Sequence, residues 1–199
     1  MKGHSFSLDH EYETQSIQWI RSLKVNELAD KNCCLFMWIV SPMLDLAFET
    51  ITSWGFKYKT LAFCWSKIHK SGKLVSNLGR WTMGNVELCL LATKGKPQRI
   101  IKNIKQLVVA ERTQHSKKPD EVRNRIVELM GDIPRIELFA RQRFPGWYAW
   151  GNELEPSNKV EEEVYKILGN NEDLFYEKQA EEINNNINSY LNRIEFELN

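Results

Sequence analysis

Two periods alternate along the chain: short apolar runs with every-second-residue alternation, and stretches in which apolar residues recur every three to four positions. Thr14–Leu23 places Ile17, Ile20 and Leu23 roughly on one helical face. Lys24–Leu28 then leads into Cys33–Val40, which is apolar at both alternating sets of positions, as strands buried on two faces are. Ser41-Pro42 predicts a helix start, with Ser as the cap and Pro at the first position, where its missing N–H costs nothing. That helix runs to about Trp54 and stops at Gly55. Phe56–Trp65 and Val86–Thr93 predict the next two strands, Lys94–Pro97 a closing turn, and Leu107–Ala110 a fourth strand. Between them Ser66–Asn85 holds Gly72, Gly79 and Gly84 and predicts a long loop. A loop of ~20 residues in a compact domain is uncommon unless it is functional or disordered. Pro119 opens a helix through Met130, with Asp120 and Glu121 at its positive end and Gly131 after its last residue. Arg135–Ala140 predicts the last strand of the body, in which Ile136, Leu138 and Ala140 alternate with Glu137 and Phe139.

Strands alternating with helices predict an α/β fold, with a mostly parallel sheet covered by helices on both faces. The chain's 199 residues suit one domain with a three-layer core. Its body is expected to span residues 1–154. Residues 155–199 are expected to form an acidic helical extension, with Lys159–Leu168 and Glu172–Leu198 as one or two surface helices.

Charge sharpens that division. Net charge is +1, yet residues 153–199 hold 12 Asp/Glu against 4 Lys/Arg, which leaves the rest of the chain basic. A basic body can face phosphates. The longest apolar run, Cys33–Val40, is far short of the ~20 residues that span a membrane, and MKGHSFSLDHEY lacks the apolar centre of a signal peptide. The expectation is a cytoplasmic protein with no membrane partner. Cys33, Cys34, Cys64 and Cys89 lie in apolar segments without metal-ligand spacing, and the four histidines are scattered. Buried reduced thiols are expected, and no metal site.

Two stretches could carry chemistry. Gln114–Asp120 ends a strand and precedes a helix N-terminus, where Lys118 and backbone N–H groups suit an anion; a solvated Lys-Lys turn is the alternative. Arg135–Glu153 runs from a strand into a loop rich in Arg, Trp and Asn, a place to hold a nucleoside beyond a strand's carboxyl end. A Trp-rich plug at the strand end is its alternative.

Four blocks occur in order: LFMWIV with WGFKYKT over 35–60, GRWTMGNVELCLLATKGKP over 79–97, HSKKPDEVRNRI over 115–126, and ELFAR, GW and GNE over 137–153. Together they resemble the N(6)-adenine methyltransferase family, which includes the mRNA adenine methyltransferase and, nearer in these blocks, the phage DNA enzymes. The resemblance implies a circularly permuted, Rossmann-like methyltransferase fold and S-adenosylmethionine as cofactor. It places Lys118 at the carboxylate of the cofactor's methionine part. Arg141 and Asn152, with Glu153 beside it, fall at the ribose hydroxyls, and Arg143 at a more variable polar position. It assigns Tyr12, Trp65, Lys67, Trp81, Asn85 and Glu87 to the target base or nucleic acid. A flipped base is held between aromatic faces and read on its pairing edge. Core packing is the alternative for both tryptophans, a weaker one for Trp81 in its glycine-rich loop. Met83 stands where relatives often carry Arg, which removes one backbone or base contact.

The family's Asp-Pro-Pro-Trp tetrad occurs nowhere in these 199 residues. Spacing from Tyr12, Thr14 and Ser16 would lay it over residues 1–4 or before Met1, so no catalytic residue is assigned. The expectation is adenine methylation in nucleic acid, DNA ahead of RNA, with this chain weak or inactive alone. A protein partner that supplies or completes the active site is possible on this reading. A non-catalytic nucleic-acid-binding subunit, or a truncated remnant of such an enzyme, is the alternative.

Between Lys94 and Lys118 there are 8 Lys/Arg and one acid, Glu111. Weak binding to nucleic acid that falls steeply with salt is expected, because phosphate contacts release counterions. Titration of a labelled oligonucleotide at low and moderate salt checks this; equal affinities would contradict it.

Overall fold

The structure, a computed structural model, describes residues 16–79, 81–113 and 117–169. In chain order its elements are α1 (Ile17–Ser22), α2 (Val25–Leu28), β1 (Cys33–Ile39), α3 (Leu44–Ser53), β2 (Lys57–Ile68), β3 (Val86–Lys94), β4 (Leu107–Glu111), α4 (Asp120–Met130), β5 (Ile136–Leu138), β6 (Tyr148–Trp150) and α5 (Lys159–Leu168). They fall into two units, one from Arg21 to Pro134, the other holding residues up to Ile20 and from Arg135 on. Tyr12 and Glu172–Leu198 lie outside the described residues.

In the first unit the sheet order is β1-β3-β2-β4. β3 is antiparallel to both neighbours, whereas β2 and β4 are parallel. β1, β2 and β4 therefore run one way and β3 alone runs against them. The mixed α/β class and the flanking helices agree with the sequence reading; the pairing is more antiparallel than expected. The reason is the connection after β2. Residues 69–85 return the chain directly, and β3 enters between β1 and β2 instead of crossing over through a helix.

Alternation then builds the core. Register sets Trp38 and Phe63 opposite Cys89, and Trp65 between Glu87 and Val108. Phe63, Trp65, Cys89 and Val108 are buried with Val122 of α4, and Phe36, Trp38, Ala110 and Ile126 pack around them. Each large side chain buried this way contributes roughly 1.5–3 kcal/mol. α3 packs against β1 and β2, and its Phe48 meets Tyr58 edge-on at 4.9 Å. The expected Ser41 cap is not made. Ser41–Met43 forms a 3-10 turn closed by Met43 N–H to Val40 O, and the α-helix begins one turn later.

In the second unit β5 and β6 pair in parallel, with Leu138 opposite Trp150. β6 was not predicted: three residues carry no legible period, and only pairing with β5 makes them a strand. The stretch after Leu154, expected as a helical extension, is helical at α5 and bonded to this pair. Asn158 caps α5 by accepting from Val160 N and Glu161 N. Glu161, 1% exposed, accepts from Ala149 N at 3.0 Å, Ser157 N at 2.8 Å, Ser157 Oγ at 2.9 Å and Arg143 Nη1 at 2.6 Å. Tyr165 Oη donates to Leu154 O and accepts from Gly151 N, and Trp150 Nε1 donates to Gly169 O.

Burial opposes ionisation of Glu161, but bonds from Ser157, Arg143 and Ala149 outweigh it and hold the carboxyl below the usual carboxylate range. Its stabilising effect is thus full above the ordinary carboxylate pKa and is lost as pH falls through the lowered value. Glu161→Ala leaves Ala149 N, Ser157 N and half-exposed Arg143 without their shared acceptor and should cost about 1–3 kcal/mol. Urea unfolding at neutral pH measures this; a loss under about 1 kcal/mol would show that the carboxylate does not anchor α5.

Candidate active site

Because β1, β2 and β4 share a direction, their carboxyl ends lie at one edge of the sheet, and the reversed β3 begins there. In mixed α/β proteins this is the edge at which ligands bind. Trp65 and Lys67 project from one face of β2, and Glu87 lies directly opposite Trp65 on β3. Lys67 is diagonal to Glu87, close enough for a cross-strand pair. Lys67 Nζ reaches Glu87 Oε1 at 2.5 Å, and Lys118 Nζ reaches Oε2 at 2.6 Å. Lys118 precedes Pro119, which restricts it to extended backbone just before α4 begins.

Tryptophan rings floor the cluster. Lys67 Nζ stands 5.1 Å from the Trp65 ring centre and Lys118 Nζ 5.8 Å from that of Trp38. The two indoles meet edge-on at 6.4 Å, and Trp65 Nε1 donates to Ala110 O at 3.0 Å. Burial works against ionisation of Glu87, yet hydrogen bonds and charge from Lys118 and Lys67 prevail and hold its carboxyl below the usual range. Two ammonium groups share one carboxylate, so the cluster keeps one positive charge in excess. Beneath it, burial pushes the Cys89 thiol up to about 12, so that it stays protonated at neutral pH and is no nucleophile.

At the carboxyl ends of β5 and β6, in the other unit, Arg141 Nε donates to Glu153 Oε1 at 2.6 Å. The backbones close tightly here, with Ala140 N–H bonded to Trp150 O. A Cβ on Gly151 would lie 2.1 Å from Ala140 O, so only glycine fits and Asn152-Glu153 can follow at the turn. Just before Arg141, Phe139 adopts φ 59°, an uncommon conformation for a bulky residue. Edge-on contacts with Trp150 at 5.3 Å and Trp19 at 6.5 Å hold it.

The site residues read from sequence thus fall into two groups. Lys67, Glu87 and Lys118 meet directly, although the resemblance assigned Lys118 to cofactor and Glu87 to base. Arg141 and Glu153 pair beside exposed Asn152. Trp65 is a correction: it is 2% exposed and belongs to the core, leaving no ring face open to a base. Trp81 is the reverse, 97% exposed. Asn85 acts through its backbone, its carbonyl accepting from Lys67 N. Arg143 is occupied by Glu161 and the Glu155 carbonyl. Sequence reasoning missed Trp38, whose position at the end of an apolar run next to a helix start was the available signal. Among the described residues no three His, Cys, Asp or Glu side chains group as a metal site would need. None of their helices is long and apolar enough to cross a membrane.

Glu87's stabilising effect is fully present above the ordinary carboxylate pKa and disappears as pH falls through its lowered value. Glu87→Gln leaves two lysines facing each other without a counter-charge. A loss of about 1–3 kcal/mol at pH 7 is expected, with a shallower decline below pH ~4.5 than in the wild type. Urea midpoints across this range test it; parallel acid limbs would mean that the carboxylate's ionisation is not linked to folding.

The MT-A70 family profile matches residues 3–153. The type II methyltransferase M.MunI of Mycoplasma sp is 38% identical over 157 residues, covering 78% of this chain and 64% of that protein. An N(6)-adenosine-methyltransferase MT-A70-like protein of Arabidopsis thaliana is 29% identical over 156 residues, 76% of this chain and 22% of its own length. The N(6)-adenosine-methyltransferase catalytic subunit METTL3 of Homo sapiens is 28% identical over 158 residues, 77% of this chain and 27% of its own. The chain thus spans less than two thirds of each of these relatives. With the profile covering most of its length, the chain belongs to the MT-A70 family, the N(6)-adenine methyltransferases that its sequence blocks resemble.

Proposed function

We propose that this chain serves S-adenosylmethionine-dependent methyl transfer to the exocyclic amine of adenine in nucleic acid, DNA ahead of RNA. The observation that carries this reading is the Lys67–Glu87–Lys118 cluster, placed at the ligand-binding edge of a sheet in an MT-A70 chain. Each unit by itself offers groups that suit a part of the cofactor. One excess positive charge suits a carboxylate, and an exposed amide and carboxylate suit ribose hydroxyls. When bound, S-adenosylmethionine supplies a methyl group on an electrophilic sulfur.

Lys118 is the residue for the methionine carboxylate, and Glu87 positions its ammonium while Trp38 covers one side. Asn152 and Glu153 take the ribose hydroxyls, with Arg141 orienting the Glu153 carboxylate. Lys67, held by Glu87 over Trp65, faces the nucleic acid as a cation. None of these groups localises the lone pair of an aromatic amine, which is delocalised into the ring. The family's Asp-Pro-Pro-Trp carboxylate and proline carbonyl do that, and preorganised groups of this kind lower barriers by several kcal/mol. The second reading is a non-catalytic nucleic-acid-binding subunit, supported by the basic stretch from Lys94 to Lys118.

Calorimetry should detect cofactor binding by the wild type, weakened about 5–10-fold in Asn152→Ala through loss of one hydrogen-bonding group. A folded wild type that binds no cofactor would favour the binding subunit. With labelled cofactor, residues 1–199 alone should methylate adenine-containing DNA orders of magnitude more slowly than a version extended by an Asp-Pro-Pro-Trp segment, since ~1.4 kcal/mol is tenfold. Rapid turnover by residues 1–199 would contradict this. Faster transfer to RNA than to DNA would reverse the substrate preference.

A further inference from the structure

The loop between β2 and β3 is built, not slack, and it exposes what a soluble surface normally hides. Its first turn closes through His69 N–H to Lys73 O and Gly72 N–H to His69 O. Val75, 2% exposed, then anchors the chain by donating its N–H to Lys67 O. Beyond that anchor, Asn77 and Gly84 exchange both backbone hydrogen bonds, at 2.8 and 2.9 Å, and pin the tip between them. A Cβ on Gly79 would lie 2.2 Å from Thr82 O, so the tip's tight crossing needs glycine. On this pinned tip Leu78 is 93% exposed, Trp81 97% and Met83 55%.

Three large apolar side chains in water on a hydrogen-bonded support are a wedge without a slot. The charge around them says what the slot is. From Ser66 to Val86 the sequence has four Lys/Arg and no acid, and Lys70 and Lys73 on the first turn are exposed. A protein partner of ordinary mixed charge has no reason to require this, whereas a polyanion with an apolar interior does. Stacked bases inside a phosphate cage are such a target, and side chains of this kind enter base steps in proteins that unstack DNA.

The geometry points to Leu78 and Trp81 as a wedge inserted into the base stack of duplex DNA, beside the adenine presented to the Lys67–Glu87–Lys118 edge. This rests on the function proposed above and adds to it how the base leaves the stack. Gly84 is three residues from Glu87 and Trp81 is six, so the tip can stand no more than about 22 Å from the cluster. That reach is a few base steps at 3.4 Å per nucleotide of strand. Extrusion of a base costs unstacking energy, and a side chain that fills the gap offsets it.

The test uses a DNA duplex with 2-aminopurine at the target adenine, titrated with wild type, Trp81→Ala, Leu78→Ala with Trp81→Ala, and Lys70→Ala with Lys73→Ala. Wild type should raise 2-aminopurine emission on binding. The double apolar variant should lose that rise and bind about 10-fold or more weakly, as loss of a stacking aromatic does elsewhere. The lysine variant should bind more weakly with a reduced salt slope but keep the rise at saturation. Equal emission from wild type and the apolar variant would overturn the wedge while leaving DNA binding and the proposed function intact. Failure of folded wild type to bind either DNA or cofactor would overturn both. A wild-type dimer in sedimentation that Trp81→Ala converts to monomer, with DNA binding unchanged, would assign the tip to a second copy and overturn the wedge.

Discussion

The carboxylate of Glu87 is the contact on which the cluster at the sheet edge depends, and it is there because β3 runs backwards. A strand in the common direction would begin at the far end of the sheet and deliver its first residues away from Lys67. Entering between β1 and β2 in reverse, β3 sets Glu87 opposite Trp65 and diagonal to Lys67, at the edge where β4 leads toward Lys118. Without that acid, two ammonium groups would be held over adjacent indole rings with only each other's repulsion. With it, the lysines are fixed and one positive charge remains in excess.

The second unit has its own carboxylate hub, with a different outcome. Glu161 is more deeply buried than Glu87, and four separate donors satisfy it. Nothing is left over: Arg143 is consumed, and the contact ties α5 to β6. Among the described residues Glu87 has only cations for partners and leaves charge in excess. Both carboxyls are held below the usual range. A lowered pKa alone therefore separates neither from the other; the count of charges and the exposure of the cations do.

The molecule places its aromatic residues in two ways. Trp38, Trp65 and Trp150 are committed to packing, each with its ring against another ring or a cation. Trp81 is committed to nothing within the described residues, and its loop is stiffened by backbone bonds of its own. Exposed apolar area of this kind on an ordered support marks an interaction site. Its setting in a segment without acids makes nucleic acid the chemistry that fits.

Local pattern carried much of the fold. The apolar run of β1, the Pro119 start and Gly131 end of α4, and the strands β2 to β4 were legible because burial imposes two- or 3.6-residue periods on sequence. The motif blocks that hold Lys118, Arg141 and Asn152 were legible as a family resemblance, which the match over residues 3–153 bears out. Pairing was not. Nothing in VELCLLATK says that it lies between β1 and β2 or runs against them, because alternation is the same in either direction. Nor does YAW announce a strand until β5 lies beside it. The contact of Lys118 with Glu87, across 31 residues of sequence, the burial of Trp65 and the exposure of Trp81 were decided by which strand neighbours which. Side-chain period records only that a residue faces inward or outward; the partner it meets there is set by the sheet.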